Sequence, residues 1–549
     1  MRSDEIKKGV SRAPHRSLLY ATGVSKKNID KPFIAIASSY TDMVAGHITM
    51  RDLERQIERG IHTGGGQSFV FGVPAVCDGI AMGHNGMRYS LPSRELIADC
   101  IETFANAHQI DGLVLLTNCD KITPAMLIAA TRLNIPAIVV TAGPMLDGEC
   151  ECKKITMIKG TFEGIGRYRS GEITLDELSN LEELSCPTAG SCQGMYTANT
   201  MACLTEVLGM SLENCATSSA VSAEKRRIAF DSGVRAVELV KENIKPLDII
   251  NKESLRNAII ADLALGGSTN SILHLLAIAN TGGIELSLDD FDELGKKVKQ
   301  IVKLDPSAAP TMTDFHNAGG ISALLSRIYN KLPEFKDTLT VNGKYISELV
   351  TEPKSDLIRP IDNPVTTEAG LGVLYGNLAS DGAVIKISGV DKSCYYFKGK
   401  AKVFDCEEDA MTALENDIVK EGDVVVIRYE GPKGSPGMRE MLAPTSLIVG
   451  KGLGTKTALI TDGRFSGGTC GICVGHICPE AANNGIIAYV QDGDEIEIDI
   501  PNRKLNLLVS EDTLKARQIE HTTIKKEISS GYLNKYSKLV QDASHGAII

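Results

Sequence analysis

The sequence contains no uninterrupted apolar run of about 18 residues, which excludes a membrane-spanning helix of ordinary length. The apolar stretch Leu273 to Ala279 follows Asn270 and contains His274, so a buried helix is expected there. The first eight residues, Met1 to Lys8, lack an apolar core, so no secretory signal is expected and the chain reads as soluble and cytoplasmic. There is no excess of positive charge: 58 Lys and Arg stand against 69 Asp and Glu, a net charge of −11. That argues against the basic face of a nucleic-acid binder. The 14 cysteines are too sparse for a disulfide scaffold, and in a reducing compartment most are expected as small core residues, Cys203 among them. No internal repeat and no low-complexity tract appears.

What is present is glycine, 52 residues of it, clustered in polar loops such as Gly64-Gly65-Gly66, Gly266-Gly267, Gly319-Gly320 and Gly467-Gly468. Glycine permits left-handed backbone and close approach of a ligand. With 549 residues and 43% apolar content, two or three domains are expected. The first two-thirds alternate strand-like and helix-like segments. Strands are expected at 33–37, 68–76, 112–116 and 135–141. Helices are expected at about 48–63, 93–108 and 125–133, then at 196–210 and 270–279. This rhythm predicts a mainly parallel sheet with helices on both faces, whose ligands sit beyond the carboxyl ends of the strands. Residues 145–185 are charged and less periodic, a surface excursion. After about residue 360 short strands recur between Gly/Asp turns, at 383–387, 424–429, 458–461, 486–490, 495–500 and 504–509. The expected fold class is α/β: an αβα parallel-sheet unit over 1–365 and a mostly β, barrel-like domain over 366–549 that closes the active site. The last 40 residues read as polar and helical.

The chemistry concentrates in the loops. Residues Thr117 to Pro124 place Cys119, Asp120 and Lys121 in a row between a strand and a helix, with Thr123 and Pro124 read as the N-cap and first helical position. Thiolate sulfur suits an iron–sulfur cluster and carboxylate suits magnesium or manganese, so two metals side by side are indicated. Cys119 and Cys192 lie in polar loops ahead of helices, where the helix N-terminus favours thiolate. The residues alone leave cluster ligation and a buried structural role both open. Cys470, Cys473 and Cys478 form a competing Cys-x2-Cys-x4-Cys pattern, for which a tightly packed segment is favoured over a zinc or cluster site. Asp78 and Asp120 fit a divalent cation, although a turn or capping role is the commoner one for a lone Asp near Gly. Glu440 follows a rigid Gly/Pro loop, and Ser466 stands among glycines but outside a nucleophile-elbow pattern. The loop Gly266–Asn270 fits an anion site or an ordinary helix cap, with Ser268 or Thr269 as the natural cap. The histidines at 47, 84, 316 and 476 fit a base or a hydrogen-bonded loop residue.

Together these segments resemble the dihydroxy-acid dehydratase family, within the wider group that includes sugar-acid dehydratases. The matching stretches are Cys77-Asp-Gly-Ile-Ala-Met-Gly-His84, Ser90-Leu-Pro-Ser-Arg-Glu95, Thr117 to Pro124, Gly190-Ser-Cys-Gln-Gly-Met-Tyr-Thr-Ala-Asn199 and Gly266 to Asn270. They continue with Arg428-Tyr-Glu-Gly-Pro-Lys-Gly434 and Thr461-Asp-Gly-Arg-Phe-Ser-Gly-Gly468. The resemblance implies a hydro-lyase that converts 2,3-dihydroxy-3-methyl acids to 2-keto acids in valine and isoleucine biosynthesis, working as a homodimer. A sugar-acid dehydratase with the same centre is the alternative. It implies Cys119 and Cys192 as ligands of a [2Fe–2S] or [4Fe–4S] cluster. It implies Asp78, Asp120, Glu440 and a carbamylated Lys121 as magnesium ligands, and Ser466 as the base. Many relatives carry a third cluster cysteine where this chain has Gly46, followed by His47; a branch with Gly-His there is associated with an oxygen-labile [4Fe–4S] cluster. The third ligand is therefore unassigned.

Overall fold

The computed structural model describes residues 1–467, 469–524, 526 and 531–549. Gly468 of the Gly467-Gly468 pair lies outside the described residues, as do 525 and 527–530 of the expected C-terminal helical stretch.

Four strands form the first sheet: β1 (Phe33–Ser38), β2 (Gln67–Gly72), β3 (Gly112–Thr117) and β4 (Ala137–Thr141), in the order β2-β1-β3-β4 and all parallel. Every residue of β1, β3 and β4 is buried, as expected of a parallel sheet covered on both faces. The connecting helices are α1 (Met50–Gly64), α2 (Ser90–Ala107) and α3 (Ile122–Leu133). They are followed by α4 (Thr197–Val207), α5 (Ala223–Glu242), α6 (Lys252–Leu265) and α7 (Asn270–Thr281). Helices α1 and α5 cross backbone to backbone. A Cβ on Gly60 would lie 2.0 Å from the Phe230 carbonyl, and one on Gly233 2.3 Å from that of Ile57, so only glycine admits this crossing. Residues 145–185 hold a short hairpin (Gly148–Cys150 with Lys153–Ile155) and the helices Glu163–Arg169 and Leu175–Ser185.

The C-terminal part is a closed eight-stranded barrel. Its strands are β5 (Gly372–Gly376), β6 (Ala379–Ile385), β7 (Tyr396–Phe404), β8 (Asp423–Ile427), β9 (Ala458–Thr461), β10 (Ile472–Gly475), β11 (Glu495–Asp499) and β12 (Lys504–Leu507). The order around the barrel is β8-β9-β10-β6-β5-β12-β11-β7. Side chains alternate: Val424 and Val426 of β8 fill the interior, while Val425 and Ile427 pack outward with Leu459 and Met441.

Several expected boundaries shift. The strand expected at 68–76 stops at Gly72, because Pro74 has no N–H to continue the ladder. The strand expected at 486–490 is a 3-10 turn, Ile486–Tyr489. Arg428 takes the carbonyls of Ala488 and Val490 at 2.6 and 2.9 Å, which removes them from any ladder, and a short apolar run cannot by itself distinguish a strand from a buried turn. Helix α3 begins at Ile122, one residue before the expected cap. The Thr123 hydroxyl pairs with that of Thr117 at 3.3 Å and caps nothing. At α7, Thr269 occupies the cap position without a side-chain cap bond.

Candidate active site

The loops that follow β1, β2, β3 and β4 emerge from the same, carboxyl, edge of the sheet. Their backbones are tied together: Gly190 N–H donates to Ala45 at 3.0 Å, and Ser191 N–H to Gly143 at 2.9 Å. The Asn118 amide bridges Gly46 and Gly143 at 3.0 and 3.1 Å. The Asp78, Asp120 and Cys119 loops therefore meet at one place.

From the C-terminal part a two-residue ribbon reaches the same place. Glu440–Met441 pairs in parallel with Arg464–Phe465, Glu440 opposite Arg464. Ser466 follows directly, its N–H donating to Met441 at 3.1 Å. One small device thus sets the spacing between Glu440 and Ser466.

Lys121 is fully buried at the centre. Its Nζ lies 2.8 Å from Asp78 Oδ2, 3.2 Å from Glu440 Oε2 and 3.9 Å from Asp120 Oδ2. Carboxylate oxygens of Asp78, Asp120 and Glu440 lie within 4.8 Å of one another, and among the described residues no other group of three or more His, Cys, Asp or Glu side chains converges this closely. Two of the three acids, Asp78 and Glu440, are held from behind. Ser90 donates to Asp78 at 2.7 Å. Arg464 Nη1 reaches Glu440 at 2.6 Å and Asn270 Oδ1 at 2.5 Å, while the Asn270 amide donates to Glu440 at 3.3 Å. Burial pushes Asp120 up to about 7, aided by the charges of Asp78 and Glu440. Burial also opposes ionisation of Asp78, but Lys121 and Arg464 hold its carboxyl below the usual range. Asp78 Oδ1 is buried without a partner. Three convergent acids, one with an orphaned oxygen and two fixed by neighbours outside the cluster, fit a hard divalent cation.

Cys119 and Cys192 lie close enough that each enters the electrostatic surroundings of the site, together with Cys77. Burial pushes both thiols well up, with neighbouring thiol and carboxylate charge adding to it. This corrects the expectation that helix N-termini favour the thiolates: Cys192 lies five residues before α4, beyond the reach of its first turn, and burial outweighs any helix effect at Cys119. A buried thiol becomes a good ligand when a metal supplies the compensating charge. Cys119 adopts a left-handed backbone (φ +64°), a conformation concentrated at functional positions. Gly46 is its direct neighbour. A Cβ built there lies 3.2 Å from Cys119 Sγ, so the position matched to the missing cysteine faces the same spot. No three thiols fall within 4.8 Å of one another among the described residues.

The competing Cys-x2-Cys-x4-Cys pattern does not converge. Cys473 lies on β10 with its Sγ donating to the Cys470 carbonyl at 3.8 Å, and Cys478 packs with Leu91, Leu273 and Met438. Of the histidines, His476 is buried beside Arg464 and Lys121 and pushed down to about 3, by burial first and by those charges second. His47 underlies the Gly46 loop, its Nδ1 2.8 Å from the Ser39 carbonyl. His84 closes its own turn on Ile80, and His316 pairs with Thr217. The loop Gly266–Asn270 delivers Asn270 to Glu440, and the Ser268 hydroxyl pairs with Thr197 at 2.8 Å. Arg464, Asn270 and Ser90 are the site residues that residue types and spacing did not single out. Each stood inside a quoted motif, which was the one available signal.

Two family models cover the chain. The N-terminal model of the dihydroxy-acid/6-phosphogluconate dehydratases matches residues 31–349 and the C-terminal model residues 356–547. A dihydroxy-acid dehydratase of Endomicrobium trichonymphae is 55% identical, with 100% of each chain aligned. Those of Trichlorobacter lovleyi and Geobacter sulfurreducens are each 54% identical over 100% of this chain and 99% of their own. With both models matched in order and relatives this similar along the whole length, the chain belongs to the dihydroxy-acid/6-phosphogluconate dehydratase family.

Proposed function

We propose that this protein dehydrates 2,3-dihydroxy-3-methylbutanoate and 2,3-dihydroxy-3-methylpentanoate to the corresponding 2-keto acids, a hydro-lyase step of valine and isoleucine biosynthesis. The observation that carries the reading is the convergence of Asp78, Asp120 and Glu440 on Lys121, with Cys119 beside them, in a chain aligned end to end with relatives called dihydroxy-acid dehydratase. Asp78, Asp120, Glu440 and a carbamylated Lys121 would hold magnesium; Cys119 and Cys192 would hold an iron–sulfur cluster. Carbamylation turns the ammonium, which cannot ligate, into a carboxylate-like ligand. When bound, the cluster supplies a Lewis acid for departure of the C3 hydroxyl, and the magnesium offsets negative charge that develops beside the substrate carboxylate.

The chain's own residues do the rest. Ser466 accepts the C2 proton. Arg464 and Asn270 fix Glu440, and Ser90 fixes Asp78, so no acid must reorient during turnover. Burial of Lys121 and Glu440 keeps water from the centre, which strengthens each charge interaction there. The enol product then tautomerises to the ketone. The same reading makes the protein a cytoplasmic homodimer, which light scattering on the purified protein checks. No helix is long and apolar enough to cross a membrane among the described residues.

The direct test is anaerobic purification followed by keto-acid assay with 2,3-dihydroxy-3-methylbutanoate and with gluconate. Turnover of the first in clear preference to the second is expected. Absence of keto acid from the first, at full iron and magnesium occupancy, defeats the assignment.

A further inference from the structure

Ser466 needs somewhere to send its own proton, since a serine hydroxyl has no basicity of its own near neutral pH. The opposite wall of its cavity offers an acceptor that is not itself a proposed magnesium ligand. Lys386 lies just beyond the end of β6, and its side chain is buried in a small cavity that it lines together with Ser466, Thr269, Phe465 and Thr469. Its Nζ donates to the Gly467 carbonyl at 2.8 Å, one peptide from Ser466. Among the described residues no carboxylate lies within ion-pair distance of it. A buried ammonium held by one carbonyl is a costly species, whereas a neutral amine in the same place is not. The Thr469 hydroxyl in the same cavity also has no partner.

We propose that Lys386 and Ser466 form a proton-relay pair, in which the neutral Lys386 amine takes the serine proton as the serine oxygen takes the C2 proton of the substrate. The proposal rests on the assignment of Ser466 as the base. Lys386 acts through Ser466 and does not itself touch the reacting carbon, so it is a positioning residue for the proton. The balance closes. The C2–H electron pair becomes the enol double bond, and the C2 proton ends on Ser466. The C3–O pair leaves with the hydroxide. The proton moved from Ser466 to Lys386 returns through solvent and converts that hydroxide to water, which restores the neutral amine.

The surroundings of Lys386 support the neutral form. Burial pulls it down to about 8, against the opposing pull of Cys470, Asp262 and Asp305. Asp262 is itself pushed up to about 7 by burial, and its Oδ2 is taken by Ser271, so it is a weak counter-ion. Asp305 is occupied elsewhere: Tyr196 donates to it at 2.5 Å, Thr156 at 3.3 Å, and Lys159 lies 3.6 Å away. An amine that titrates this near neutrality is well matched to general-base work.

The test is the pH dependence of kcat/KM in the holoenzyme, with iron and magnesium measured in every preparation. Because the neutral amine is the working form, the wild-type rate should rise with pH and level off above about 8. Lys386→Met and Lys386→Arg should each lose about 10²- to 10⁴-fold in kcat and lose that inflection, with metal content and KM near wild type. A wild-type profile flat through pH 8 overturns the proposal without any variant. So does Lys386→Met at near wild-type rate, or Lys386→Arg that restores the rate, since arginine keeps the charge but cannot accept a proton. Ser466→Ala separates the two readings. If it turns over normally, the serine assignment itself fails. If it is inactive while Lys386→Met is active, only the lysine's part fails.

Discussion

A lysine set among three acids has two stable outcomes: it stays a cation that neutralises them, or it becomes an acid and shares a metal with them. Among the described residues, Lys121 and Arg464 are the cations paired with these acids, and burial first, with the charges of Asp78 and Glu440 adding to it, pushes Asp120 up to about 7. Carbamylation would add a fourth acid and leave Arg464 as the remaining positive side chain, so a divalent ion must follow. Lys121→Met removes the carbamate site while keeping length, and should cut magnesium affinity by at least about 100-fold. Labelled bicarbonate should leave a carbamate carbon signal in the wild type and none in the variant. A labelled signal that persists in Lys121→Met would place the carbamate elsewhere. For the thiols, Cys119→Ser should lose iron and Cys473→Ser should retain it. The reverse pattern would return the Cys470–Cys478 segment to contention. At this scale all three convergent acids were legible as candidates from the loops that carry them, while only the motif resemblance joined them into one site. Arg464 and Asn270 were silent because they lie 194 residues apart, and nothing local to either demands the other.

At the scale of elements, the Glu440–Met441 and Arg464–Phe465 ribbon is the part whose geometry matters most, and it is too short for any periodicity to reveal. The parallel sheet, by contrast, was readable from its apolar runs, since β1, β3 and β4 are buried on both faces and show as unbroken apolar segments, with the half-exposed edge strand β2 beside them. The run at 486–490 misled for the same reason: a buried turn looks identical until Arg428, from β8's end, is seen to take its carbonyls. The ribbon predicts a coupling. Arg464→Gln leaves Glu440 buried without its guanidinium and should cost about 3–5 kcal/mol in chemical denaturation. Pairing it with Glu440→Gln should recover much of that stability, because the buried carboxylate that Lys121 alone would then have to balance is gone, yet magnesium should remain unbound. If the double variant is no more stable than Arg464→Gln, the pair is not what holds the ribbon.

At the scale of the molecule, the site exists only because the two parts of the chain are held against each other. Asp78, Cys119, Asp120, Lys121 and Cys192 come from loops of the first sheet and its helices; Glu440, Arg464 and Ser466 come from the part that contains the barrel. The C-terminal segment returns to fasten them. Helix Gly531–Leu539 and the residues after it place Tyr536, Val540, Ala543 and Ala547 in one cluster with Leu91, Leu273, Met438 and Cys478. Arg94, fully buried on α2, donates to the Gly546 and Ala547 carbonyls at 2.8 and 2.9 Å and pairs with Glu95 at 2.7 Å. The start of α2 is Ser90, the residue that holds Asp78. The tail is therefore linked through one helix to Asp78, one of the three convergent acids. Arg94→Met should destabilise the protein by about 3–5 kcal/mol, because buried Glu95 keeps only the distant Arg132 at 4.0 Å and the Gly546 and Ala547 carbonyls lose their donor. It should also weaken magnesium binding about 10-fold without touching any ligand. Hydrogen exchange locates the effect: amides of 531–547 and of the first turns of α2 should lose protection while those of β1 and β3 keep theirs. Uniform loss across the sheet would mean that Arg94 supports the core at large and that the tail plays no part in setting the site.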